Sequence, residues 1–230
     1  MVPYLLQEVE MNKKLDNLKT KQSDIFEGMS NILSALSAPV RLKLVHFLSQ
    51  APLTVEVLSL KIEQSMANTS MHLRKMHCEN LVLVETIGQK RLYSLHPSVY
   101  EFWEHCQDFV QKIDPSLSLN GEVYGNLNWE RTLEETLQLI DKKEVFVLDV
   151  RPRDEVDDSH PLLPYNYIHM PAADLPNNLH ELPKKKKILV ICRGRMCALS
   201  SHTVNYLREK HFNAYRLDKS WFALNQALNR

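Results

Sequence analysis

The chain has 230 residues, with 28 Lys and Arg against 28 Asp and Glu, 44% hydrophobic and 24% charged residues. That is ordinary globular composition and excludes a fibrous or disordered chain. The charges balance within residues 1–112 and again within 113–230, so bulk charge gives no argument for a nucleic-acid partner, which must be argued from local placement.

Residues 5–36 carry Leu15, Leu18, Ile25, Met29, Ile32, Leu33 and Leu36 at helical spacing, with Gly28 as a candidate break. A second helix is predicted from Pro39, at a first-turn position, to about Gln50. Thr54 is a candidate N-cap for a short helix through Lys61, and Ser65 for another from about Met66 to Asn80. The period then changes. Leu81–Glu85 and Arg91–Leu95 read as two strands around Ile87-Gly88-Gln89-Lys90, a hairpin. Pro97 opens a helix through about Lys112. Residues 113–128, with Asp114-Pro115-Ser116, Asn120-Gly121 and Gly125-Asn126, have linker chemistry. A helix over Trp129–Ile140 leads to a strand at Glu144–Val150, then a long loop. The apolar run Lys187–Cys192 is a buried strand, followed by a helix from Ala198 to about Lys210, a short strand near Tyr215 and a helix over Phe222–Leu228. Strands alternating with helices argue for a parallel α/β sheet.

The sequence is polar after Leu5-Leu6, with no signal-peptide core ahead of its cysteines, and no apolar run approaches the roughly 20 residues needed to span a bilayer. Four cysteines in a chain of this length do not form a disulfide framework. A cytoplasmic protein is expected, with no membrane partner and with reduced thiols.

The helix pair Thr54–Lys61 and Ser65–Asn80, followed by a basic-tipped hairpin, is the order of a winged helix-turn-helix. A recognition helix needs short polar groups where it enters the major groove and cations for the flanking phosphates. Ser65, Asn68, Thr69, Ser70 and His72 supply the first, Arg74 and Lys75 the second, and Lys90 and Arg91 stand at the wing. The helices alone suit a protein-docking module equally well. Leu36–Val45 together with Ala67–Arg74 and Glu79–Val82 resembles the ArsR family of dimeric repressors over about residues 24–112. The resemblance implies a homodimer on a double-stranded DNA operator. Many members sense metals through cysteines in the helix before the recognition helix. Here that helix, Thr54–Lys61, has none. His105, Cys106 and Asp108 read as one face of an amphipathic helix, and Cys78 as packing, so no metal and no cofactor is expected.

In the second half, Cys192-Arg193-Gly194-Arg195-Met196-Cys197 links a buried strand to a helix. Backbone N–H groups converge at such a turn and favour a thiolate. A phosphatase loop would need an arginine where Ala198 stands, and a zinc site would need two further ligands. The loop resembles the rhodanese (sulfurtransferase) active-site loop. Val147–Glu155, Ile168–Ala173 and Asn213–Leu217 resemble other segments of that family, so the likeness covers about residues 129–228. It implies a Cys192 persulfide, an anion cradle of Arg193, Gly194, Arg195 and Met196 up to Cys197, and structural anchors at Asp149 and Arg151. Cys197 either caps the helix or acts as a resolving thiol. Lys219-Ser220 replaces the family's Gly-Gly, and Ser159–Tyr167 is longer than usual.

The expected architecture is multidomain: a mainly α winged helix-turn-helix for DNA binding and dimerisation in residues 1–112, a linker at 113–128, and an α/β rhodanese-like parallel-sheet domain in 129–230. The expected function is transcription regulation in which the second domain senses or transfers sulfane sulfur, with a sulfane-sulfur donor and a thiol acceptor as partners. The other reading is a sulfurtransferase in which the winged helix serves dimerisation or recruitment.

Overall fold

The structure is a computed structural model, which describes residues 2–117, 127–156 and 167–228. Helix α1 (Val2–Leu36) is continuous through Gly28. A Cβ there would meet nothing within 4 Å, so the glycine is neither a packing nor a turn device. Helix α2 (Pro39–Leu48) starts on its proline. Strand β1 (Leu53–Thr54) leads into α3 (Val55–Lys61), whose Thr54 cap accepts the Val57 N–H. Helix α4 (Met66–Cys78) is capped by Ser65 through the Asn68 N–H. Between α3 and α4 the chain turns through Glu63 at φ 56°.

Strands β2 (Val82–Ile87) and β3 (Lys90–Leu95) form the wing, with β1 added to the far edge of β3 by two residue pairs. Two residues are too short for an alternation signal, which is why β1 was not legible. Gly88 takes the left-handed φ of 62° that the two-residue turn requires. Helix α5 (Pro97–Ile113) closes this half. Its core holds Leu44, Leu48, Leu58, Leu73, Met76 and Val82 with almost no exposed surface.

The second half is built on a parallel sheet. Helix α6 (Leu133–Asp141) starts four residues later than expected, because Thr132 and Glu135 form a capping box. Trp129 instead lies beside the sheet edge, where its N–H donates to the Arg216 carbonyl at 2.8 Å. Strands β4 (Val145–Asp149), β5 (Tyr167–His169), β6 (Lys187–Cys192) and β7 (Ala214–Ser220) stand in the order β5-β4-β6-β7. All three pairings are parallel. A one-turn helix, α7 (Leu175–Asn178), then α8 (Ala198–Glu209) and α9 (Trp221–Leu228) complete the domain. Strand β5 falls where the sequence suggested only loop, since three residues carry no period. The unusual length of Ser159–Tyr167 and the glycine turns at 120–126 lie outside the described residues, apart from Tyr167 itself.

Strands β4 and β6 are buried almost throughout, as expected of a sheet covered on both faces. Among the described residues no helix is long and apolar enough to cross a membrane.

Candidate functional site

Strands β4, β6 and β7 all deliver their C-terminal ends to one edge of the sheet, the position at which open α/β sheets build their sites. Strand β6 ends on Cys192, and α8 begins after Cys197, which occupies its N-cap position. The two sulfurs lie 2.9 Å apart, with the residues 0% and 2% exposed. The loop between them depends on Gly194, at φ +92°. A Cβ there would come within 3.1 Å of the Ser220 backbone nitrogen, so any side chain would push β7 away. The Ser220 hydroxyl accepts the Ala223 N–H at 3.2 Å and so helps start α9.

Arg216 on β7, which sequence reasoning did not single out, is fully buried beneath this loop. Its guanidinium donates to the carbonyls of Gly194 (3.4 Å) and Arg195 and to the Ser201 hydroxyl (3.1 Å). By holding the loop carbonyls it orients the loop. The only sequence signal was an arginine between Tyr215 and Leu217 at the start of the strand.

The cysteines share one proton, so they titrate as a pair. The hydrogen bond between the two sulfurs holds the Cys197 thiol down to about 5, against the opposing effect of burial. The Ser200 and Arg193 amides and the Arg193 charge add to the lowering. Cys192 is pushed well above the ordinary thiol value by the same hydrogen bond and by burial. The sequence reading placed the thiolate on Cys192; in the reduced pair the two sulfurs hold one proton and one negative charge between them, at the N-terminus of α8.

A pH dependence follows. A thiol whose pKa is lowered keeps its thiolate through the neutral range and loses it as pH falls through about 5. Alkylation of Cys197 by iodoacetamide should therefore have its midpoint near that value. Cys192→Ala removes the largest cause, and the midpoint should move up towards the ordinary 9.0. An unmoved midpoint would show that the helix terminus alone sets it.

Asp149 and Arg151 form a buried brace beside the loop. Arg151 Nε lies 3.0 and 3.1 Å from the two carboxylate oxygens and Nη2 2.7 Å from Oδ2. Tyr167 donates its hydroxyl to Asp149 at 3.1 Å, and Arg151 lies over the Trp221 ring at 5.1 Å. Arg151 Nη1 also donates to the Glu155 carbonyl, which carries the brace to the next group.

Arg193 and Arg195, expected to draw an anionic donor, are already taken up by carboxylates. Arg193 makes two bonds to Glu155, of 2.6 and 2.7 Å. Arg195 pairs with Asp218 at 2.9 Å and with Asp108 of α5 at 2.7 Å, and it donates to Gln111. Glu155, 0% exposed, also receives Lys61 of α3 at 2.6 Å. Arg193 lies 5.2 Å over the Phe47 ring of α2. Met196 lines a cleft of about 360 Å³ with Pro39, Leu42, Lys43, His46 and Trp103. The loop thus faces the winged helix.

On that winged helix the expected DNA-contact residues separate. Ser65, Arg74, Lys75, Lys90 and Arg91 are exposed, and Asn68 and Ser70 partly so. Thr69 is fully buried and returns its hydroxyl to the Ser65 carbonyl at 2.9 Å, so it serves the helix rather than a base. His72 turns to Arg41, its Nδ1 3.2 Å from Nη1, and burial and that charge lower its pKa. Gln64, overlooked in sequence, is exposed and accepts the Asn68 amide at 2.7 Å. Cys78, expected to pack, is exposed at the end of α4. His105, Cys106 and Asp108 form no metal cluster, and none occurs among the described residues.

The fold and the loop together define a winged-helix regulator carrying a rhodanese-like domain. Residues 38–83 match the family model described as bacterial regulatory protein, arsR family, and residues 132–227 match that of the rhodanese-like domain. The chain is therefore an ArsR-type DNA-binding regulator with a rhodanese domain. It is 24% identical over 200 residues to the HTH-type transcriptional regulator Rv0324 of Mycobacterium tuberculosis, covering 86% of this chain and 87% of that one. Among solved structures, the homodimeric winged helix-turn-helix domain (fragment 1-100) of Mb0332 from Mycobacterium bovis is 16% identical with a TM-score of 0.40. It covers 41% of this chain and 90% of its own. Reduced HlyU from Vibrio cholerae is 23% identical with a TM-score of 0.36, covering 39% and 95%.

Proposed function

We propose that this chain is a homodimeric transcriptional regulator whose rhodanese domain takes up sulfane sulfur on Cys192, and that the sulfur state biases operator binding. The observation that carries this reading is the seat of the paired-cysteine loop: Arg193, Arg195 and Met196 all reach the DNA-binding half.

The chemistry balances without an added oxidant. Cys192 attacks the outer sulfur of a donor such as thiosulfate while its proton passes to the Cys197 thiolate. The donor S–S bond breaks, sulfite leaves with the bonding pair, and an anionic persulfide remains on Cys192. A thiol acceptor then takes the outer sulfur. In the other branch, Cys197 gives that proton to the outer sulfur and attacks the inner one as thiolate, so that a Cys192–Cys197 disulfide forms and hydrosulfide leaves with the bonding pair. The 2.9 Å separation of the sulfurs favours that second branch.

Dimerisation is supported by an apolar ridge that the single chain leaves exposed. Leu18, Ile25, Phe26, Met29 and Leu33 on α1 are all more than half exposed. With Phe102 of α5 the end of this ridge borders an apolar cleft of about 470 Å³. A patch of that extent suits a second copy of the chain.

The DNA-binding part is tested by footprinting the purified protein. A protected palindrome is expected, with half-sites about one helical turn apart. Arg74→Ala should weaken binding about tenfold and reduce the salt slope by about one. Absence of a protected site would refute the regulator, and steady sulfur turnover without one would make the chain an enzyme.

A further inference from the structure

A free-standing sulfur loop with two arginines would present both to an anionic donor. Here neither guanidinium is open to one. Arg195 is held between Asp218 of its own domain and Asp108 of α5, with its side chain only 16% exposed. Lys219 adds a weaker pairing to the same Asp108 at 3.5 Å. Glu104, one turn earlier on α5, meets Ser220, the residue against which Gly194 packs. On the other flank, Lys61 clamps Glu155 and Asp154 at 2.6 and 2.9 Å. Both sulfurs are covered in this arrangement.

We propose that the winged-helix domain is an internal inhibitor of its own sulfur site: the Asp108 carboxylate occupies Arg195 as a stand-in for the charged group of a small sulfur anion, so that donor binding and domain docking exclude each other. This rests on the sulfur reading above and specifies its donors as small anions, such as thiosulfate or a polysulfide. An incoming anion competes with Asp108 for Arg195 and releases α5 from the loop. The coupling is reciprocal: the factor by which docking lowers donor affinity is the factor by which the donor weakens docking. Breaking a close charge pair across such an interface acts on its opening more than on the fold.

The test is the rate at which the cysteine pair of the full chain reacts with two disulfide probes at fixed ionic strength. One is the dianion dithiobis(nitrobenzoate) and the other is neutral dithiodipyridine. Asp108→Asn should speed the anionic probe about tenfold and raise the anionic-to-neutral ratio, because it leaves Arg195 with the single carboxylate of Asp218 as well as opening the loop. Asp108→Glu should keep the wild-type rates. Lys61→Met opens the opposite flank without freeing Arg195, so it should speed both probes equally. Cys78 and Cys106 are replaced by Ser in every protein compared. If Asp108→Asn leaves both rates within about twofold of wild type, or speeds both probes equally, the inhibitor is refuted. The measurement contains no DNA, so its failure is separate from a failure of operator regulation.

Discussion

Arg151→Met should destabilise the rhodanese domain by about 3–5 kcal/mol, the usual cost of leaving one buried partner of an ion pair without the other. Asp149 is 0% exposed and Arg151 1%, so water cannot replace the lost guanidinium. The Tyr167 hydroxyl and the Arg151 backbone N–H would still reach the carboxylate, but neither carries a full charge. The loss is comparable with the whole stability of many domains, typically about 5–15 kcal/mol. Urea unfolding should show a lower midpoint at an unchanged slope. Asp149→Leu combined with Arg151→Met should recover much of the loss, because it removes the stranded charge together with its partner. A loss below about 1 kcal/mol in the single variant would mean that the brace is solvated in solution.

The second large effect concerns sulfur loading. With Cys78 and Cys106 replaced by Ser throughout, Cys192→Ser should abolish persulfide at position 192, because Ser has no thiol, and peptide mapping separates this from any sulfur on Cys197. Cys197→Ser should load one sulfur atom on Cys192 and keep it, since the hydroxyl at position 197 does not displace hydrosulfide. Wild type should instead progress to a Cys192–Cys197 disulfide. Intact-mass spectrometry after exposure to a persulfide donor, followed by peptide mapping, separates the three. Stable persulfide in wild type as well as in Cys197→Ser would reduce Cys197 to a helix cap.

Much of the architecture was readable because its signals are local. Thr54 and Ser65 cap the helices they were expected to cap, and Gly88 turns the wing. The continuous apolar run into Cys192 is the buried strand it suggested, one of the two inner strands of the sheet. What could not be read depends on long-range partners. Strands β1 and β5 are too short for a period and exist through their pairing with β3 and β4. Thr69 and His72 have the chemistry of DNA contacts, but tertiary packing turns them inward. Arg193 and Arg195 carry positive charge that suits a donor, yet Glu155 and Asp108, 38 and 87 positions away, claim it first. The charge on the cysteine pair was equally out of reach, because it depends on the loop bringing the two sulfurs to 2.9 Å. Arg216 was invisible for the same reason: nothing local tells a buried arginine that props a loop from one on a sheet edge.

The central claim joins the two halves: sulfur on Cys192 alters the hold of the winged helix on DNA. It is tested most directly by operator affinity at fixed salt, with and without a persulfide donor, for wild type and Cys192→Ser. The account predicts that the donor changes wild-type affinity by about fivefold or more and leaves Cys192→Ser unchanged. Equal affinities in all four measurements, with mass spectrometry showing that wild-type Cys192 has reacted to persulfide or disulfide, would contradict it.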